Sequence, residues 1–118
     1  MTQQRRPING GLGNGQPIGL LQATPGTTVH TIPAVSAERV GPVTDLLTLF
    51  INNTTAGALI ASVIVGTTTI ELTVGADATL QVFDDHPITG TVGTAFVISI
   101  FQAGANNALL AFGSFTRS

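Results

Sequence analysis

Asp84-Asp85-His86 is the one run of three ionisable side chains in this 118-residue chain. Two carboxylates beside an imidazole are the right donor types for a divalent cation. Adjacent strand residues point to opposite faces, however, and Pro87 follows at once, so the triplet reads as a polar turn between strands. His30 sits between Val29 and Thr31 with no acidic neighbour in sequence. It reads as a hydrogen-bonded structural histidine and not as a catalytic base. Gly11-Leu-Gly-Asn-Gly15 hints at a phosphate-cradling loop, but no strand precedes it, no helix follows it, and the Lys-Ser/Thr of a P-loop is missing. Ser36, Ser62, Ser99, Ser114 and Ser118 have no nucleophile-elbow context. Asn52-Asn-Thr and Asn53-Thr-Thr match glycosylation sequons and read as turn residues. No catalytic residue, metal ligand or cofactor site is expected.

The composition points elsewhere. From Val40 to Thr116 there is no lysine or arginine, and the only formal charges are Asp45, Glu71, Asp77, Asp84 and Asp85. Only 8% of the chain is charged, whereas a free soluble monomer carries about a quarter or more charged residues on its surface. Much of the exterior must therefore be Thr, Ser, Asn, Gly and Ala, a surface suited to contact with protein. With no cysteine, disulfide scaffolds, thiolate zinc sites and cysteine catalysis are excluded together. A net charge of −2, with neither Tyr nor Trp, gives nucleic acid neither a basic field nor a stacking platform. The Arg5-Arg6 pair is followed by a Gly/Asn-rich run and not by the apolar core of a signal peptide, which leads us to expect a protein made in the cytoplasm. Leu46–Ile70 is uncharged and long enough to span a bilayer. Asn52-Asn53-Thr54-Thr55 divides it into two short apolar runs, so a hairpin is expected and not a membrane helix.

The elements that would position these residues are strands. Residues 1–26 hold six of the fourteen glycines and three of the six prolines, show no period, and read as an extended N-terminal arm. From Thr27 onward, short Val/Ile/Leu/Phe/Thr runs predict strands at Thr27–Ile32, Val43–Asn52, Ala58–Val65, Thr68–Val74, Thr79–Phe83, Ile88–Gly90, Ala95–Gln102 and Ala108–Thr116. Turn residues separate them at Asn52–Gly57, Gly66, Gly75–Asp77, Asp84–Pro87, Gly93 and Gly104–Asn107. The expected fold is all-β: one β-sandwich domain over 27–118, jelly-roll or Ig-like, behind the arm. Ile70, Leu72 and Val74 alternate with Thr69, Glu71 and Thr73, the mark of a strand with one wet face. Leu46, Leu47, Leu49, Phe50 and Ile51 instead load both faces of their strand, as do Phe96, Val97, Ile98, Ile100 and Phe101. Such strands need covering twice, by the core and by a second surface.

Several segments resemble the small β-sandwich virion proteins of tailed bacteriophages. They are His30-Thr-Ile-Pro-Ala34, Leu46-Leu-Thr-Leu-Phe-Ile-Asn-Asn53, Glu71-Leu-Thr-Val-Gly-Ala76, Leu80-Gln-Val-Phe-Asp-Asp-His-Pro-Ile-Thr-Gly90 and Ala108-Leu-Leu-Ala-Phe-Gly-Ser-Phe115. The likeness covers about residues 28–117 and lies in turn-and-strand patterns. Val74-Gly-Ala departs from it in lacking the usual proline. The resemblance implies a structural role in the virion, as a head decoration (cement) protein or a neck or tail component. Its implied partners are further copies of the chain, as a homotrimer or ring, and the major capsid protein, with no direct contact to nucleic acid or membrane.

On this reading the arm, about 80 Å long at ~3.3 Å per residue, would clasp a neighbour, with Arg5 and Arg6 lying in an acidic groove. Phe50, Phe101 and Phe115 would be the buried aromatic anchors of the interface. Deleting residues 1–26 should then leave a folded domain that no longer attaches to its particle.

Overall fold

The structure, a computed structural model, describes residues 4–11, 13–22, 26–34, 43–90 and 94–117. Among these residues nine strands form two antiparallel sheets: β1 (Arg5–Pro7), β2 (Ile18–Gly19), β3 (Thr27–Ile32), β4 (Thr44–Asn53), β5 (Leu59–Val65), β6 (Thr68–Val74), β7 (Thr79–Thr89), β8 (Phe96–Gln102) and β9 (Leu109–Arg117). One sheet runs β1-β9-β4-β7, with β2 also on β9, and the other runs β3-β8-β5-β6. The pairing is that of a long hairpin folded on itself. β5 pairs with β6 at its tip, β4 with β7 behind it, β3 with β8 behind that, and β1 and β2 with β9 at the open end. Successive rungs go to alternate sheets, and β9–β4 and β8–β5 zip each sheet together. This is jelly-roll connectivity, with β1 and β2 as the two halves of an interrupted first strand. The β-sandwich is as expected, and the topology resolves to the first of the two alternatives.

Alternation places the core. In β4 the inward residues Leu47, Leu49 and Ile51 are completely buried, while Leu46 and Phe50 on the other face are half-buried. β8 does the same with Ile98 and Ile100 inward and Val97 and Phe101 outward. Val29, Ile32, Ala61, Val63, Val74, Leu109 and Ala111 complete the interior. The β5–β6 hairpin turns on Gly66-Thr67, where Gly66 has φ +65°, the left-handed value that a glycine takes at the first central position of a type II′ turn.

The structure differs from the sequence expectation in three places. Residues 4–11 and 13–22 do not reach outward: β1 and β2 lie along the chain's own β9, and Ile8 and Leu20 enter the core. The glycines and prolines of this segment interrupt the strand without abolishing it. Thr79–Phe83 and Ile88–Gly90 are one strand, because Asp84-Asp85-His86 is not a turn between strands. The register against β4 shifts twice between Leu47 and Phe50, so the acidic pair forms an irregularity within β7, with Asp85 at φ +48°. The third is β6: Ile70, Leu72 and Val74 share the core-facing side with Val63, Ala61 and Leu59, as expected, but burial fades along the strand, with Val74 buried, Leu72 half-buried and Ile70 37% exposed. The proposed break at Gly93, and Ser36 and Ser118, lie outside the described residues.

Candidate functional site

Among the described residues, the one buried ionisable cluster joins both sheets. His30 on β3 and Asp45 on β4 are each completely buried, and His30 Nε2 lies 2.7 Å from Asp45 Oδ2. Arg117, near the end of β9, closes a fork on the same carboxylate, Nε to Oδ1 at 2.8 Å and a terminal guanidinium nitrogen to Oδ2 at 2.9 Å. The backbone N–H of Asn9 donates to His30 Nδ1 at 3.3 Å, so the imidazole carries its proton on Nε2 and gives it to Asp45. The ring packs on Phe115 at 4.4 Å between centroids, and the Arg117 guanidinium lies 4.9 Å over the same phenyl ring. Every buried side-chain nitrogen and oxygen among the described residues has a partner.

The electrostatics follow from burial. Desolvation pushes the His30 pKa below its ordinary value, against the pull of the Asp45 carboxylate, so the ring is neutral at pH 7. For Asp45 burial works towards a higher pKa, but the hydrogen bonds from Arg117 and His30 outweigh it and hold the carboxyl below the ordinary aspartate value. The pair has the geometry of a base and its orienting carboxylate. In a hydrolase, though, the far imidazole nitrogen faces a nucleophile, and here it faces the Asn9 amide. What the cluster does is fasten four segments together: the Asn9 strap, β3, β4 and β9.

A second polar group lies on the outer face of the β1-β9-β4-β7 sheet. Arg5 donates to Ser114 Oγ at 2.8 Å and pairs with Asp85 Oδ1 at 3.1 Å, both members being 52% exposed. Thr48 Oγ1 accepts from the Asp85 amide at 3.0 Å and donates to its carboxylate at 3.3 Å. The Asp85 carboxylate is thus tied to Thr48 and Arg5, and His86 stacks on Phe83 at 5.1 Å. No group of three His, Cys, Asp or Glu side chains suited to a metal ion occurs among the described residues.

The sequence-predicted interface residues are not gathered in one place. Arg5 and Arg6 are exposed on β1, and Arg5 is paired with the chain's own Asp85, so the acidic partner expected on a neighbour is internal. Phe50 lies on the outer face of one sheet, stacked on Phe112 at 5.3 Å and 13° between planes. Phe101 lies on the outer face of the other sheet, bridged to Leu21. Phe115 is a correction: it faces inward, 4% exposed, and its ring is taken up by His30 and Arg117. The sequons are turn chemistry. Asn53 is buried, its amide donates to Gly57 O and Val74 O, and its oxygen caps Thr55. Sequence reasoning found His30 but missed Asp45 and Arg117 as its partners. The available signal was a lone Asp in an apolar run, a residue that is almost never buried unless paired.

The two outer faces are the remaining candidates. On the β3-β8-β5-β6 sheet, Ile60, Ile64, Val97 and Phe101 stand among Thr28, Thr31, Ser62, Ser99, Thr69 and Thr73, with Glu71 as the one charge. On the opposite sheet the outward apolar side chains are Leu46, Phe50, Leu110 and Phe112. None of these eight packs against the core. No protein-family model, curated protein or solved structure matches this chain.

Proposed function

We propose that the chain is a non-enzymatic structural protein of a virus particle, in the first place a head decoration (cement) protein of a tailed bacteriophage. It would be assembled in the host cytoplasm and would reside in the virion. The observation that carries this reading is the pair of outer faces. Both present apolar side chains in a Thr- and Ser-rich field; among the described residues the β3-β8-β5-β6 face carries no cation and the opposite face carries Arg5 paired with the chain's own Asp85, which suits repeated protein contact and not solvent. Weak contacts of this kind add up when symmetry repeats them over a shell. The jelly roll agrees with the reading, since it builds many viral shell domains. It also builds lectins and cupins, so topology by itself names no function.

The partners on this reading are the major capsid protein and further copies of the chain, as a trimer or ring. Phe50 and Phe101 are the anchors that keep an outward face. A neck or tail position is the alternative within the same class. A carbohydrate-binding module on the virion is a weaker one, because sugar-stacking Trp and Tyr are both missing. The test is co-sedimentation of the purified protein with empty shells of the virus that encodes it. Saturable retention with the shells is expected, and protein left wholly in the supernatant overturns the decoration role. Saturable retention on a glycan column would point instead to the binding-module alternative.

A further inference from the structure

A two-sheet sandwich has four edges, and each is a row of backbone donors and acceptors open to another chain unless something blocks it. Three are blocked here. On the β3 edge the Asn9 side chain imitates a strand: Asn9 Nδ2 donates to Thr31 O at 2.8 Å, Thr31 N donates to Asn9 Oδ1 at 2.7 Å, and Gly10 N donates to Val29 O at 2.9 Å. The β7 edge carries Pro87, two register shifts, the left-handed Asp85 and the exposed charges of Asp84 and Asp85. The β1 and β2 edge is two short pieces, and Pro7 has no N–H to offer.

The fourth edge, β6, has no such device among the described residues. Thr68–Val74 pairs with β5 in unbroken register and contains no proline, glycine or basic residue. The two-residue turn makes Val65 and Thr68 a hydrogen-bonded pair, so in β6 the backbone groups of Thr68, Ile70, Leu72 and Val74 face β5. Those of Thr69, Glu71 and Thr73 face away, and none of them bonds elsewhere among the described residues.

We propose that β6 is a self-association edge, where two copies of this chain pair antiparallel across a two-fold axis to make one continuous sheet. The charge pattern sets the register. Pairing Glu71 with its own copy would oppose two carboxylates, which disfavours that arrangement. Sliding the partner by two residues sets Thr69 opposite the partner's Glu71 and Ile70 opposite the partner's Ile70. In that register Thr69 and Glu71 exchange both backbone hydrogen bonds with their opposites, and the Thr69 hydroxyl donates to the carboxylate. Ile70, 37% exposed and outside the core, gains an apolar neighbour. The outer faces bearing Ile60, Ile64, Val97 and Phe101 merge into one. The inference names a two-fold contact for the self-assembly proposed above, one that an even-numbered ring accommodates and a lone trimer does not, and to that extent it rests on that reading.

Light scattering of the full chain over a wide concentration range tests it, with three variants. Wild type should be a dimer or an even-numbered oligomer. Glu71→Pro removes an outward N–H that β5 does not use, so it should fold normally and be monomeric. Thr69→Glu, which opposes two carboxylates on each side of the axis, should weaken association roughly tenfold at low salt, while Thr69→Lys should not weaken it. The Thr69 pair decides the matter if the proline variant fails to fold. A wild type that stays monomeric overturns the edge, as does an oligomer indifferent to all three variants. In either case, retention on shells would leave the decoration role standing, so the two failures are distinguishable.

Discussion

Asp45 is a buried carboxylate held by two neighbours from other strands, and removing it leaves the Nε2–H of His30 and the Arg117 guanidinium facing an apolar gap. Asp45→Ala should therefore cost about 3–5 kcal/mol in urea denaturation, the range for breaking one partner out of a buried pair. Arg117→Ala should cost less, since Arg117 is one-third exposed and Asp45 keeps its bond to His30. The pH dependence has a definite sign. The folded-state pKa of His30 lies below the ordinary 6.5, so between the two values the unfolded chain binds the proton that the folded chain refuses. Stability should be flat above about pH 6.5 and fall as the pH drops towards the folded value. A second loss should come below 3.8, where Asp45 begins to be protonated only in the unfolded state. Urea midpoints from pH 8 down to about pH 2 check both losses, and His30→Gln should remove the first phase; a first phase that persists in His30→Gln would assign it elsewhere. At this scale the sequence told half the story. His30 reads as structural because no acid adjoins it, yet the acid is there, fifteen residues on and in the other sheet.

Among the elements, β1 and β2 change what truncation should do. Deleting residues 1–26 removes the buried Ile8 and Leu20 and the Asn9 cap on His30. Loss of two such side chains alone is worth about 3–6 kcal/mol. The truncated chain should lose its cooperative unfolding transition, whereas an intact transition near the wild-type midpoint would mean that the segment only decorates the sandwich. A smaller change tests the packing of β9 on β4: a Cβ on Gly113 would overlap the Thr48 carbonyl oxygen, so Gly113→Ala should destabilise by about 1–3 kcal/mol. Most strands were legible because Val, Ile, Leu, Phe and Thr runs ended at glycine and asparagine turns. β1 and β2 were not, because Arg5–Pro7 and Ile18–Gly19 are too short to show a period and owe their pairing to a strand at the far end of the chain. The polar irregularity in β7 imitated a turn for a related reason: proline and two carboxylates mark both.

For the whole molecule, the paucity of charge read from the sequence has become two defined faces. Val97→Asp alters an outward side chain that is 38% exposed and outside the core, so it should leave the unfolding midpoint within about 0.5 kcal/mol of wild type. It should nonetheless abolish retention on shells if that face makes the contact, and a shell-binding titration reads the difference. The sequence predicted a sandwich but left its connectivity open, since alternation reports which residues face inward and not which strands are neighbours. The nested hairpin also has a consequence for biosynthesis. β9 follows every other described strand in the chain, yet it lies between β4 on one side and β1 and β2 on the other. On the ribosome, β1 and β2 must therefore wait without their partner until β9 has left the exit tunnel. Closure of this sheet is held back to β9, and the strands most distant in sequence must find each other last.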